Sequence, residues 1–251
     1  MLLPGGIVRE GTRHRSFAFR PVDGALEVAL AEACAIPSAP RAVTAVLVAA
    51  LEELGGRPAD VADVRNLAVG DRQFLARQLA IHLGKDPIWL TAICRTCGES
   101  FDFLIRQGDL PVKAAGEGFP FAHAGSLRLR VPTGADQEAI AELPDFEAMQ
   151  TLFDRCRIEG SGDVSAAEAA LESVAPEVTV TVLAGCPACH ADNDLFVDPY
   201  LGLPARAEPL FDEIHRLASR YHWTERDILA LPRARRQLYL RLIERSRGWM
   251  A

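Results

Sequence analysis

A chain of 251 residues, 49% hydrophobic and 24% charged, carries enough apolar material for a sizeable core, which argues against disorder. Its net charge of −7 argues against a surface built throughout for nucleic acid. The charge is uneven: from Ala205 to Ala251 ten Arg stand against six Asp or Glu (+4), leaving 17 basic against 28 acidic residues (−11) in the rest.

The apolar opening, Met1 to Gly6, is followed by Arg9, Arg13 and Arg15 and lacks the apolar core of a secretory signal. The apolar run Ala42–Leu51 is about half the length needed to cross a bilayer. Both features predict a soluble cytoplasmic protein with no membrane partner, whose thiols stay reduced. Residues 1–86 read as a helical region. Pro21–Ala35 places Ala25, Val28, Ala29 and Ala33 at helical spacing, and Arg41–Leu54 forms a second helix with Gly55-Gly56 as its stop. A third helix starts at Gly70-Asp71, with Asp71 as candidate cap, carries Phe74, Leu75, Gln78, Leu79 and His82, and ends at Gly84.

Residues 87–203 change period. Pro87–Cys94 and Phe101–Arg106 are strand-like, and Ser126–Val131 alternates apolar and basic residues. A helical insert spans about 132–175, with Gln137–Leu143 and Asp145–Arg157 as its helices and Asp136–Glu142 as solvated surface. Glu177–Leu183 is the clearest strand, with Val178, Val180 and Val182 on one face. Residues 204–251 are helical again. Leu210, Phe211, Ile214, Leu217, Ala218 and Tyr221 form a stripe, Thr224 caps a short helix, and Leu238, Tyr239, Leu242 and Ile243 face inward from the last one.

The most specific signal is a pair of C-x-x-C motifs, Cys94/Cys97 and Cys186/Cys189. Each follows a strand, and a two-residue spacing lets one tight turn aim both thiolates at a single point. Together they predict a four-thiolate zinc site, closed to water and therefore structural. An iron–sulfur cluster would use the same ligands and stands as the less favoured alternative. The segment between the pairs must leave and return, which the slow growth of loop-closure entropy permits. His190 is expected near the metal or on the surface, not as a ligand, and Cys34 and Cys156 as core thiols.

Phosphate-binding loops, H-E-x-x-H and G-x-S-x-G elbows are missing from the sequence, and its six histidines are scattered. The chain is therefore expected not to be an enzyme. The C-terminal unit could be a helix-turn-helix with Arg233, Arg235, Arg236 and Arg241 facing phosphates, although Glu225 and Asp227 crowd its short helix. Nucleic acid is accordingly the runner-up partner.

Tyr221-His222-Trp223-Thr224-Glu225, Ile228-Leu229-Ala230-Leu231-Pro232, Arg235-Arg236 and Tyr239-Leu240 resemble the C-terminal signature of small phage tail assembly proteins. With the two C-x-x-C pairs and Gly70-Asp71-Arg72-Gln73-Phe74-Leu75, the chain resembles the baseplate hub assembly chaperones of T-even-type phages and related contractile injection systems. The similarity runs in patches from about Gly70 to Leu242. It implies an assembly factor that binds hub or spike proteins, with the four cysteines as metal site and Trp223, Arg235, Arg236 and Tyr239 as docking residues. A permanent baseplate subunit is the related alternative. The expected architecture is α+β: a split zinc-ribbon-like small β core wrapped by N- and C-terminal helices.

Overall fold

The computed structural model describes residues 1–203 and 208–248. The fold is α+β, with small antiparallel sheets set among helices. The chain opens with a hairpin, β1 (Leu2–Arg9) and β2 (Thr12–Phe19), closed by Glu10-Gly11 with both residues at positive φ. Two helices come next, α1 (Gly24–Cys34), capped by the Asp23 carboxylate, and α2 (Ala39–Ala50). The chain then adds β3 (Leu51–Leu54) and β4 (Arg57–Pro58), giving a sheet in the order β1-β2-β3-β4.

The N-terminal region is thus not purely helical, as its sequence suggests. Gly55-Gly56, at φ of 61° and 80°, is the turn of a hairpin and does not end α2, which stops at Ala50. A short α3 (Val61–Asn66) precedes α4 (Val69–His82). Leu3, Phe17, Leu30, Val46, Leu47, Leu51, Leu54, Leu75 and Leu79 share the main core of the molecule, built by this sheet with α1, α2 and α4.

Helix α4 ties distant parts of the fold together through three buried charged side chains. Asp71 does not cap its own helix. Its carboxylate leaves the helix and accepts from the Gly5 and Gly6 backbone amides at 2.7 and 2.8 Å. A Cβ at Gly5 would stand 2.3 Å from Asp71 Oδ2, so glycine is required for this approach. Arg72 donates to the Val64 and Pro40 carbonyls, at the end of α3 and the start of α2. Arg77 reaches across to the carbonyls of Leu110 and Thr179.

After α4 comes the hairpin β5 (Ile88–Ile93) and β6 (Ser100–Ile105), then β7 (Val112–Lys113). The insert contains β8 (Phe121–Ala124), β9 (Leu127–Arg130), α5 (Gly134–Ile140), α6 (Asp145–Cys156), β10 (Arg157–Glu159) and α7 (Val164–Val174). Its sheet runs β10-β9-β8 over a separate small core that includes Leu127, Leu129 and Cys156. Asp136 is not solvated, as the run of polar residues suggests. It is fully buried, bound by Arg130 at 2.5 and 2.8 Å, by Arg155 at 2.8 Å and by Thr133, and these partners hold its carboxyl well below the usual range despite its burial.

The expected single strand from Glu177 divides in two. β11 (Glu177–Val178) pairs with β7, and β12 (Thr181–Gly185) forms a second hairpin with β13 (Asp192–Phe196). The C-terminal helices α8 (Glu208–Tyr221), α9 (Glu225–Leu229) and α10 (Arg233–Gly248) pack on one another and on Val28 of α1. The two ends of the chain therefore meet each other. The boundary expected at 203/204 adjoins residues 204–207, which lie outside the described residues, as do 249–251. Among the described residues, no helix is long and apolar enough to cross a membrane.

Candidate metal centre

Each cysteine pair sits at the tip of a two-stranded hairpin, and the two tips are copies of one turn. In the first, the Cys94 N–H donates to the Glu99 carbonyl at 2.9 Å, and the Gly98 N–H returns to the Cys94 carbonyl at 3.0 Å. In the second, the Cys186 N–H donates to Ala191 and the His190 N–H to Cys186, both at 2.9 Å. Gly98 and His190 occupy matching places, and both have left-handed backbone, at φ of 78° and 59°. That conformation folds each C-x-x-C into a knuckle with two sulfurs on one side.

The route between the hairpins explains how residues 89 positions apart come together. β7 and β11 pair at the base of the insert, Val112 opposite Val178 and Lys113 opposite Glu177. Beside this clasp, the single Arg77 guanidinium holds Leu110, just past the first hairpin, and Thr179, just before the second. The long loop is thereby closed at its neck, and the two hairpins become neighbours whatever the insert's length.

All four sulfurs lie within 4.8 Å of one another, with Cys94 Sγ 3.6 Å from Cys189 Sγ and Cys97 Sγ 3.7 Å from Cys186 Sγ. The close pairs cross between hairpins, so neither C-x-x-C is a self-contained unit. These spacings are far longer than a disulfide bond of about 2.05 Å, and all six cysteines are free thiols. The group is a possible metal site of four cysteines. Cys94 and Cys186 are buried; Cys97 and Cys189 are exposed.

The electrostatics are those of crowded thiolates. The Cys97 backbone amide, helped by the amide of Thr96 and by Asn193, pulls the Cys94 thiol down to about 6. At Cys97 the Glu99 amide acts in the same direction, but the neighbouring sulfurs of Cys189, Cys94 and Cys186 and its desolvation outweigh it and push that thiol up to about 12. Ionisation is thus favoured at Cys94 and opposed at Cys97.

Asn193, which no sequence signal picks out, fixes the arrangement. It is buried, accepts from the Arg95 backbone amide at 3.0 Å, and donates to the Ala191 carbonyl at 2.9 Å and to Cys94 Sγ at 3.7 Å. One side chain of the second hairpin thus latches onto the turn of the first. In the first hairpin its matching residue is Phe101, which packs with Cys94 and Cys186 in the small apolar cluster under the sulfurs. His190 is exposed and stands outside the sulfur group. Cys156 is buried in the insert, where desolvation raises its thiol to about 11, and Cys34 is half-buried at the end of α1.

The expected docking residues fare differently. Arg235 is exposed, while Trp223 and Tyr239 are half-buried, their rings 4.9 Å apart and edge-on, with Tyr221 stacked on Trp223 at 4.8 Å. Arg236 offers no surface at all. Its guanidinium is wholly buried, bonded to Glu27 of α1, to Glu213 of α8 and to the Leu231 carbonyl. Its sequence setting, an arginine-rich helix, gives no hint that this one turns inward. Compared with protein-family models, curated proteins and solved structures, the chain matches none.

Proposed function

We propose that the protein is a non-enzymatic assembly chaperone for the baseplate hub of a phage tail or contractile injection system, a binding protein stapled by one structural zinc ion. The observation that carries the zinc reading is the cluster of four sulfurs from two hairpins. The edge of a ZnS₄ tetrahedron with bonds of about 2.3 Å is about 3.8 Å, and the two closest pairs, at 3.6 and 3.7 Å, are compatible with it. A multi-iron cluster places its thiolates on different irons and would hold them further apart. Four protein ligands fill the shell and leave no place for water or substrate, so the ion's task is to hold the hairpins together.

The assembly role rests on the resemblance of the segments around Gly70-Asp71-Arg72, the paired cysteines and Trp223–Leu240. The DNA-binding alternative is weakened by Arg236, one of the four arginines it would use, which is buried against Glu27 and Glu213. It is weakened too by the exposed Glu225 and Asp227 on α9.

Two measurements test the proposal. Metal analysis of the purified protein is expected to give one zinc per chain, and two or more irons with labile sulfide would reject the zinc assignment. Co-expression with the hub and spike proteins is expected to give a complex that is absent from finished particles. Stoichiometric recovery in particles would mark a permanent subunit, and binding to a preferred DNA sequence that weakens steeply with salt would mark a regulator.

A further inference from the structure

Each cysteine hairpin has two faces. Alternation along β5 and β6 turns Ile88, Leu90, Ala92, Phe101, Phe103 and Ile105 to one side, where Ala92, Phe101 and Phe103 join the cluster under the sulfurs. The other side carries Trp89 opposite Leu104 and Thr91 opposite Asp102, with Ile93 near the tip. The second hairpin repeats the plan: Phe196 stands opposite Thr181, and Leu183 opposite Asp194. These outward side chains are bare, with Trp89 68%, Ile93 70%, Leu183 65% and Phe196 71% exposed. A two-stranded hairpin face with large apolar residues left in water is costly, and apolar patches rimmed by charge mark interaction sites.

The rim has one sign. Residues 88–105 and 181–196 hold Glu99, Asp102, Asp192 and Asp194 against Arg95 alone. Asp102 and Asp194 occupy matching places in the two hairpins, each on the outward face among the apolar side chains. We propose that the outward face of each cysteine hairpin is a docking surface for a partner-protein segment that combines large apolar side chains with lysine or arginine. Electrostatic complementarity selects that segment and apolar burial retains it. Nucleic acid is repelled by the carboxylates. Two hairpin faces of separate copies would set Asp102 and Asp194 against their own kind. Pairing with the arginine-bearing α10 of a second copy would be head-to-tail, a contact prone to open chains.

This inference rests on reading the chain as a binding protein, and its test separates the two. The probes are a synthetic amphipathic helix of leucine and lysine, its leucine–glutamate counterpart, and the co-expressed hub and spike proteins. One variant is Trp89→Thr with Leu183→Thr, in which each position takes the residue found at the matching place of the sister hairpin. The other is Asp102→Asn with Asp194→Asn. The leucine–lysine peptide is expected to bind and the leucine–glutamate peptide not, and each double variant is expected to weaken binding at least tenfold with metal content and melting midpoint unchanged. Unaltered binding by the Trp89/Leu183 variant overturns the surface, since charge alone then holds the peptide. A wild-type dimer that this variant dissociates also overturns it, by making the occupant a second copy. If hub and spike proteins fail to bind while the peptide results hold, the assembly reading falls and the surface stands. If they bind and neither variant matters, the surface falls and that reading stands.

Discussion

Two parts of the molecule are held together by different physics. The N-terminal sheet with α1, α2 and α4 buries seventeen apolar residues in one cluster, eleven of them wholly hidden from water. The cysteine hairpins share a cluster of three buried residues, Cys94, Phe101 and Cys186, two of which are candidate metal ligands. Burying a large aliphatic side chain contributes about 1.5–3 kcal/mol, so the first region has ample apolar drive and the second almost none. Isolated two-stranded hairpins are marginal in water. A metal bound by the four cysteines is therefore expected to staple the hairpins at the periphery of a body that folds without it.

The largest expected effect breaks the staple. Cys97→Ser combined with Cys189→Ser, or strong chelation, removes on the order of 10 kcal/mol of apparent metal-binding free energy. Amide exchange is then expected to become fast across β5, β6, β12 and β13 while Leu47, Leu75 and their neighbours stay protected. Global loss of protection would show that the two regions are one cooperative unit, and unchanged protection in the hairpins would show that no metal holds them. The next effect sits at the joint between the regions. Arg77→Met deletes the charged donor to Leu110 and Thr179, at about 1.5–3 kcal/mol for each hydrogen bond. It is expected to lower the melting midpoint and to speed loss of metal to a chelator, because the hairpins lose part of their common anchor. A lowered midpoint with unchanged chelator kinetics would make Arg77 a stability residue only.

The site was more legible in the sequence than the core was. A C-x-x-C imposes its geometry within four residues, so both knuckles and their flanking strands follow from local spacing. The N-terminal hairpin was hidden because β1 buries Leu3 to Ile7 without a break, through Gly5 and Gly6, and so lacks the alternation that marks a strand. Gly55-Gly56 is a sound signal for either a helix stop or a tight hairpin turn, and only the pairing of β3 with β2 and β4 decides between them. The inward turn of Asp71, Arg77, Asp136, Asn193 and Arg236 was unreadable for a common reason. Each has a partner distant in sequence, up to 209 positions away for Arg236, in contacts that the fold creates, and their residue types ordinarily face water.

Asp71 offers a smaller, pH-dependent handle on the N-terminal region. Burial pushes its carboxyl up from an ordinary value near 3.8 to about 6, against the pull of the Gly5 and Gly6 amides, Arg13 and Arg15. The native state therefore keeps this proton to higher pH than the unfolded chain does. The linked stability is fully present below about pH 4 and is lost as pH rises through about 6, by up to about 3 kcal/mol. Asp71→Asn removes the titration. The stability of the parent relative to this variant is expected to shrink between pH 4 and pH 7 in urea unfolding. Other titrating groups, Asp136 included, are common to both proteins and cancel. A constant difference across that range would mean the carboxylate is ionised throughout, fully compensated by the two glycine amides.

The smallest effect sharpens the likeness of the two knuckles. His190 holds at φ 59° the place that Gly98 fills at φ 78°. A non-glycine residue in left-handed backbone carries a cost of roughly 1–2 kcal/mol, part of which glycine gives back through its freer unfolded chain. His190→Gly is therefore expected to stabilise the second knuckle by about 1 kcal/mol, and Gly98→Ala to weaken the first by a similar amount. A Cβ at Gly98 would meet nothing within 4 Å, so any loss there reports backbone strain and not crowding. Chelator competition on the two variants measures both. Equal and opposite shifts would establish the knuckles as energetic as well as geometric copies. A His190→Gly variant that releases metal faster than the parent would show instead that the exposed imidazole supports the site.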